Sequence, residues 1–251
     1  MSSLFSLHEL SIVLLIHNQN PTLLNLDFLK YSGIVPQNWE LANDPISTPN
    51  LSQVIFQNGL RIIADTNRTI FTERIAGKSL SDLVVAQVAK LYTQVLPHAE
   101  YKALGINPEG FATFPDHPEI AQNYLSKTLL SSQPWLEFGN KTPKVDLNIS
   151  YTLDQGTLNL KVSQGFLRQE NGEVITPIVT YSGNFEYIFQ EVSPPEKLAV
   201  LSNHLEQWQL NLETFTNLIK NQFLKGLSTP LLGVGINTDP LMGEPIAIAM
   251  K

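Results

Sequence analysis

Apolar residues fall on every second position at Leu10, Ile12, Leu14 and Ile16, the period of a strand with one buried face. Asn58-Gly59 separates Gln53–Gln57 from Leu60–Ala64, and this dipeptide between apolar runs predicts a two-residue hairpin. A third strand is expected from about Thr69 to Arg74. Ser79 with Asp82 then predicts the start of a helix that ends at Leu96, before Pro97, and turns Leu80, Val84, Val88, Leu91 and Val95 inward.

The second half follows the same periods. Apolar residues are odd-numbered from Val145 to Leu153 and even-numbered from Leu158 to Val162. That parity switch demands a turn, and centring it on Gln155 and Gly156 sets Leu153 opposite Leu158, Tyr151 opposite Leu160 and Ile149 opposite Val162. A strand from about Val174 to Phe189 shares Val179, Tyr181, Phe185, Tyr187 and Phe189 on its inner face, with a bulge or bend expected at Ser182-Gly183-Asn184. Ser193 and Glu196 have the spacing of a capping box, and Pro194 stands at the first helical position. Leu198, Leu201, Leu205, Trp208, Leu212, Phe215 and Ile219 recur at alternating steps of three and four, a single apolar stripe. Lys225 and Gly226 suit its end. One helix of about thirty residues is expected, roughly 45 Å long at 1.5 Å per residue.

Strands followed by a helix thus occur twice. Gly105-Ile106-Asn107-Pro108 follows the first helix, and Gly235-Ile236-Asn237-Thr238-Asp239-Pro240 follows the second. These orders predict an α+β protein of two tandem modules, each an antiparallel sheet of three to four strands followed by a long amphipathic helix, the product of an internal duplication. The modules span 1–113 and 144–251; residues 114–143 hold a connecting helix, capped by Asp116 and Glu119, and a linker rich in Ser, Pro, Gly and Lys. The long helix exceeds the width of a three-stranded sheet, so it covers the other half or a second subunit. Monomer and homodimer both remain open.

Composition narrows the partners. Charged residues make up 16% of the chain, against roughly a quarter in typical domains, and the formal net charge of −7 comes without a run of Lys or Arg. Nucleic acid is not expected as a partner. The absence of cysteine removes disulfides and thiolate chemistry and fits a cytoplasmic setting. The N-terminal apolar run follows an acidic residue and no early cation, which reads as a strand and not a signal peptide. No apolar stretch has the length to cross a bilayer. The Asn-x-Ser/Thr triplets at Asn67, Asn140 and Asn148 are therefore not expected to carry glycans.

Candidate chemistry is sparse. The histidines His8, His17, His98, His117 and His204 are scattered and make neither of the helix patterns that bind zinc, so surface or capping roles are expected and no metal. His204 lies off the apolar stripe. Asp116-His117-Pro118-Glu119 is explained by a helix start. Gly233 and Gly235 fail the spacing of a dinucleotide fingerprint, and no P-loop or nucleophile elbow occurs, so no cofactor is expected. Which carboxylates converge is not written in the order of the chain, and no catalytic residue stands out. The aromatic loop Tyr31-Ser-Gly-Ile-Val-Pro36, continuing to Trp39, is either a contact surface or a flap over a core edge. Tyr31, Trp39, Asn107 and Asn237 are the candidate contact residues. The expected function is a non-catalytic binding or assembly protein with a protein or small-molecule partner; the alternative is an enzyme of unfamiliar type with its site between the two halves.

The segments from Phe28 to Leu41 and from Gln53 to Gly59 resemble conserved hypothetical proteins of photosynthetic bacteria. The resemblance covers about the first hundred residues and implies no activity and no catalytic residues. A looser similarity, in element order alone, is to SecB-type export chaperones, whose antiparallel strands are followed by helices.

Overall fold

The computed structural model describes residues 4–114, 118–130, 134–138, 140, 143–168, 175–189, 192, 194–225, 227 and 247–248. The strands are β1 (Phe5–Ile16), β2 (Ile46–Ser47), β3 (Leu51–Ile55), β4 (Leu60–Asp65), β5 (Arg68–Arg74), β6 (Tyr101–Thr113), β7 (Leu147–Leu153), β8 (Gly156–Arg168), β9 (Ile175–Ile188) and β10 (Ala247–Ile248). All ten join one antiparallel sheet in the order β10-β8-β9-β6-β1-β5-β4-β3-β2, with β7 also on β8. The helices are α1 (Leu26–Tyr31), α2 (Val85–Val95), α3 (Pro118–Asn123), α4 (Pro194–Glu206) and α5 (Trp208–Leu218).

The expectation of two tandem modules is overturned by β6. This strand of 13 residues pairs with β1 on one side and β9 on the other, so the strands of both halves share one sheet. Its inward positions include Leu104, Ile106 and Ala112, but also Pro108 and Gly110, which break the apolar alternation that betrays a strand. Both are dictated by packing. A Cβ on Gly110 would stand 2.5 Å from the Phe5 ring and 2.8 Å from the Ser6 carbonyl oxygen. A Cβ on Gly183 would stand 3.3 Å from Pro108 and 2.9 Å from Phe215, so a bare backbone on β9 makes room for the proline and the ring above it. The register passes from Ile106 opposite Phe185 to Glu109 opposite Ser182 across Asn107-Pro108, where proline has no N–H to give. The first Gly-Ile-Asn triplet therefore lies within a central strand. The second lies outside the described residues, and a duplication is not shown.

Other differences are local. The β7–β8 turn is Asp154-Gln155, with Leu153 opposite Gly156 and Tyr151 opposite Leu158, two residues from the expected register. A slip of two preserves the face, and Gly156 belongs in β8 because a Cβ there would meet the Glu186 carbonyl oxygen at 2.5 Å. No bulge forms at Ser182-Gly183-Asn184, which pairs continuously with β8. Ser79 and Asp82 cap only a 3-10 turn, and α2 begins later at Val85.

The long helix is broken. Gln207, with φ −88° and ψ 11°, separates α4 from α5, and its N–H is shared between the carbonyls of Asn203 and His204 at 3.1 and 3.2 Å. The bend lets the stripe follow the sheet: Leu201, Leu205, Leu212, Phe215 and Ile219 are all at most 1% exposed. α4 packs on α2 and α5 on β6, and Lys90 donates to Glu206 at 2.5 Å across the α2–α4 contact. Ser193 lies outside the described residues. His204, expected on the outside, is buried and stacks on Tyr187 at a ring distance of 3.8 Å; burial holds its pKa below the usual imidazole value.

One face of the sheet, with Leu10, Ile12, Leu14, Ile62, Phe71, Leu104, Phe185 and Leu160, forms the core beneath the helices. The opposite face is polar along its centre. Among the described residues no helix is long and apolar enough to cross a membrane.

Candidate functional site

α1 starts where Asn25 Oδ1 accepts the Phe28 N–H at 2.9 Å and stops at Ser32 and Gly33, whose φ of +72° is left-handed. Beyond it Ile34 and Val35 plunge into the core, 1% and 2% exposed, and the Gln37 amide donates to the Lys30 carbonyl at 2.7 Å. Trp39 lands edge-on against Phe56, ring centroids 5.2 Å apart. The loop is thereby fixed at both ends, and its outer wall stands opposite α2.

α2 is held by an unusual cap. Glu73, on the buried face of β5 and 0% exposed, accepts the N–H groups of Val84 and Val85 at 2.8 and 2.9 Å and pairs with Lys78 at 2.7 Å. A carboxylate from the neighbouring strand thus satisfies amides left without partners at the helix start and complements its dipole. Lys78 also donates to the Asn58 carbonyl at 2.6 Å, tying the β3–β4 turn to the same centre.

Between loop and helix lies a cleft of about 560 Å³, within the range of small-molecule sites. Its walls are Ile34, Val35, Trp39, Val84, Val88 and Leu91. Lys30, Tyr31, Gly33, Pro36, Gln37 and Gln87 complete the lining, with Tyr31 82% exposed. The structure therefore brings Tyr31 and Trp39 to one cleft. Asn107 is elsewhere, and Asn237 lies outside the described residues.

Asn107 occupies the polar face, opposite Ser11 of β1. Its buried Oδ1 receives no hydrogen bond, and the place a Cβ on Gly105 would take is 3.0 Å from it and 3.1 Å from Asn184 Oδ1. Two residues along, Glu109 stands directly opposite Glu9. Burial raises the pKa of both carboxyls; Glu109 adds to the rise at Glu9, while Arg61 and Arg74 oppose it. Ser182 donates to Glu109 at 3.4 Å, and His8, its pKa lowered by burial, lies beside Phe111. Among the described residues no group of three His, Cys, Asp or Glu side chains is placed to hold a metal.

The acid pair has a pH signature. A raised folded-state pKa means that the folded protein binds these protons more tightly than the unfolded chain, so stability falls as pH rises above the ordinary carboxylate range and through the raised values. Glu9→Gln and Glu109→Gln should each raise the melting temperature at pH 7.5 by roughly 1–3 °C. The gain should vanish near pH 4, which thermal scans across that window measure.

Sequence reasoning missed Glu73, Glu9 and Glu109. For Glu73 the signal was parity: it shares a face with Phe71. No such signal marks the acid pair, because Glu109 lies in the strand disguised by Pro108 and Gly110. No protein-family model matches the chain, and comparison with curated proteins finds no similar one.

Proposed function

We propose that this chain is a non-catalytic binding protein that receives an apolar ligand in the cleft between the Tyr31–Trp39 loop and α2. The observation that carries the reading is the cleft's lining: six apolar side chains from two anchored elements, with no Asp, Glu or His among the lining residues to act as general acid or base. The walls are pre-formed by the buried Ile34 and Val35 and by the Glu73 cap of α2. Binding then needs little ordering of the protein.

The test is fluorescence titration with N-phenyl-1-naphthylamine, a neutral probe whose emission rises in apolar surroundings. Gln87 is an exposed α2 residue on the lining, so Gln87→Phe fills the cleft without removing a core group. Its affinity should fall about tenfold or more with the circular dichroism unchanged. Saturable binding that ignores Gln87→Phe would contradict the reading.

A second reading, an enzyme whose site joins the two halves, rests on Glu9 and Glu109 of the first half, which meet across β1 and β6 with raised pKa values, a common mark of acid–base sites, and on Ser182 of the second half, which donates to Glu109. Turnover in a panel of hydrolase and transferase substrates, abolished by Glu109→Gln, would replace the binding reading with this one.

A further inference from the structure

The ligand class is legible in the polar groups at the cleft. Acids outnumber bases in this chain by 23 to 16; the lysines nearest in sequence to the cleft's second wall, Lys78 and Lys90, each stand in an ion pair. Lys30 does not: it lies on the cleft, half-buried, and among the described residues no carboxylate is within ion-pairing distance. The other polar side chains on the lining, Tyr31, Gln37 and Gln87, can each donate a hydrogen bond, as can the Trp39 indole. Apolar walls therefore meet a cation and several donors, with no anion to answer them.

We infer that the cleft takes an amphiphilic monocarboxylate, its apolar body against Val84, Val88, Leu91 and Trp39 and its carboxylate on Lys30. The inference rests on the cleft reading proposed above and adds the charge of the ligand. One carboxylate matches the one ammonium on the cleft lining. A second would sit among apolar side chains without a counter-charge, at a cost burial does not repay. A cationic ligand would face Lys30 itself. The ion pair is partly exposed, so its contribution should be modest and screened by salt, while the apolar body supplies most of the affinity.

The probes are 1-naphthaleneacetate and its neutral isostere 1-naphthaleneacetamide, titrated calorimetrically into the full chain and its Lys30→Met and Lys30→Arg variants. The wild type should bind the acetate about tenfold more tightly than the amide, as expected of a charge-assisted hydrogen bond. Lys30→Met should erase that preference while the amide still binds, which also reports an intact cleft, and Lys30→Arg should keep the preference. Equal binding of acetate and amide by the wild type, or a preference that survives in Lys30→Met, overturns the carboxylate assignment and leaves the apolar cleft standing. Failure of both probes to bind overturns the cleft reading and this inference together.

Discussion

Lys78→Met is expected to destabilise the protein by about 3–5 kcal/mol, the usual loss when the partner of a buried charge is removed. The methionine replaces the aliphatic stem of Lys78, but Glu73 remains 0% exposed with its charge uncompensated. Its other contacts, to the Val84 and Val85 amides, stabilise the anion only in part. Glu73→Gln should cost less, because the neutral amide oxygen still accepts an N–H from the start of α2 and leaves no buried charge. Removing both partners as Glu73→Leu with Lys78→Met should cost less than the sum of the single changes, since the double variant strands no ion. Denaturant titration of the wild type, Lys78→Met, Glu73→Gln, Glu73→Leu and the double variant measures this. Val84 at the N-cap of α2 and Gln87 and Val88 in its first turn line the cleft, so Lys78→Met should also weaken probe binding.

Phe215→Ala carries the second large effect, also about 3–5 kcal/mol, from lost transfer energy and the cavity left behind. Phe215 is 0% exposed, meets Phe5 edge-on at 6.1 Å and lies where a Cβ on Gly183 would come within 2.9 Å of its ring. It joins α5 to β1 and β9 at once. Gly183→Ala should show the converse, a loss of about 1–3 kcal/mol from overpacking the same contact. If α5 were merely laid on the surface, Phe215→Ala would cost well under 1 kcal/mol in urea unfolding followed by circular dichroism.

The strands with one clean apolar face were legible in the sequence. Leu10, Ile12, Leu14 and Ile16 are all buried, and the stripe from Leu201 to Ile219 is inward-facing; the hairpin at Asn58-Gly59 forms with Gly59 at φ +88°, but its loop is the three residues Gln57-Asn58-Gly59 closed by Phe56 and Leu60, not two. Sheet membership was not legible. It hinges on β6, where backbone proximity demands glycine and a proline fills the space over Gly183, so long-range packing removed the local signal. The helix break at Gln207 is likewise a tertiary effect, because no proline or glycine marks it and a straight rod would satisfy the same 3-4 spacing. At the site, the loop from Tyr31 to Trp39 was visible as aromatic and unusual, whereas its opposite wall came from α2, a partner that chain order does not reveal. The cap on α2 was hidden for the same reason: its acceptor comes from a strand, while Ser79 and Asp82, which carry the local capping signal, close only the short turn before it.

The proposed binding function places an apolar ligand between the Tyr31–Trp39 loop and α2. Isotope-filtered NMR on methyl-labelled protein with bound 1-naphthaleneacetate tests it most directly. Nuclear Overhauser contacts are expected from the naphthalene protons to the methyls of Ile34, Val84, Val88 and Leu91. Contacts confined instead to methyls of the opposite sheet face, such as those of Val13 and Ile70, which pair across β1 and β5, would contradict it.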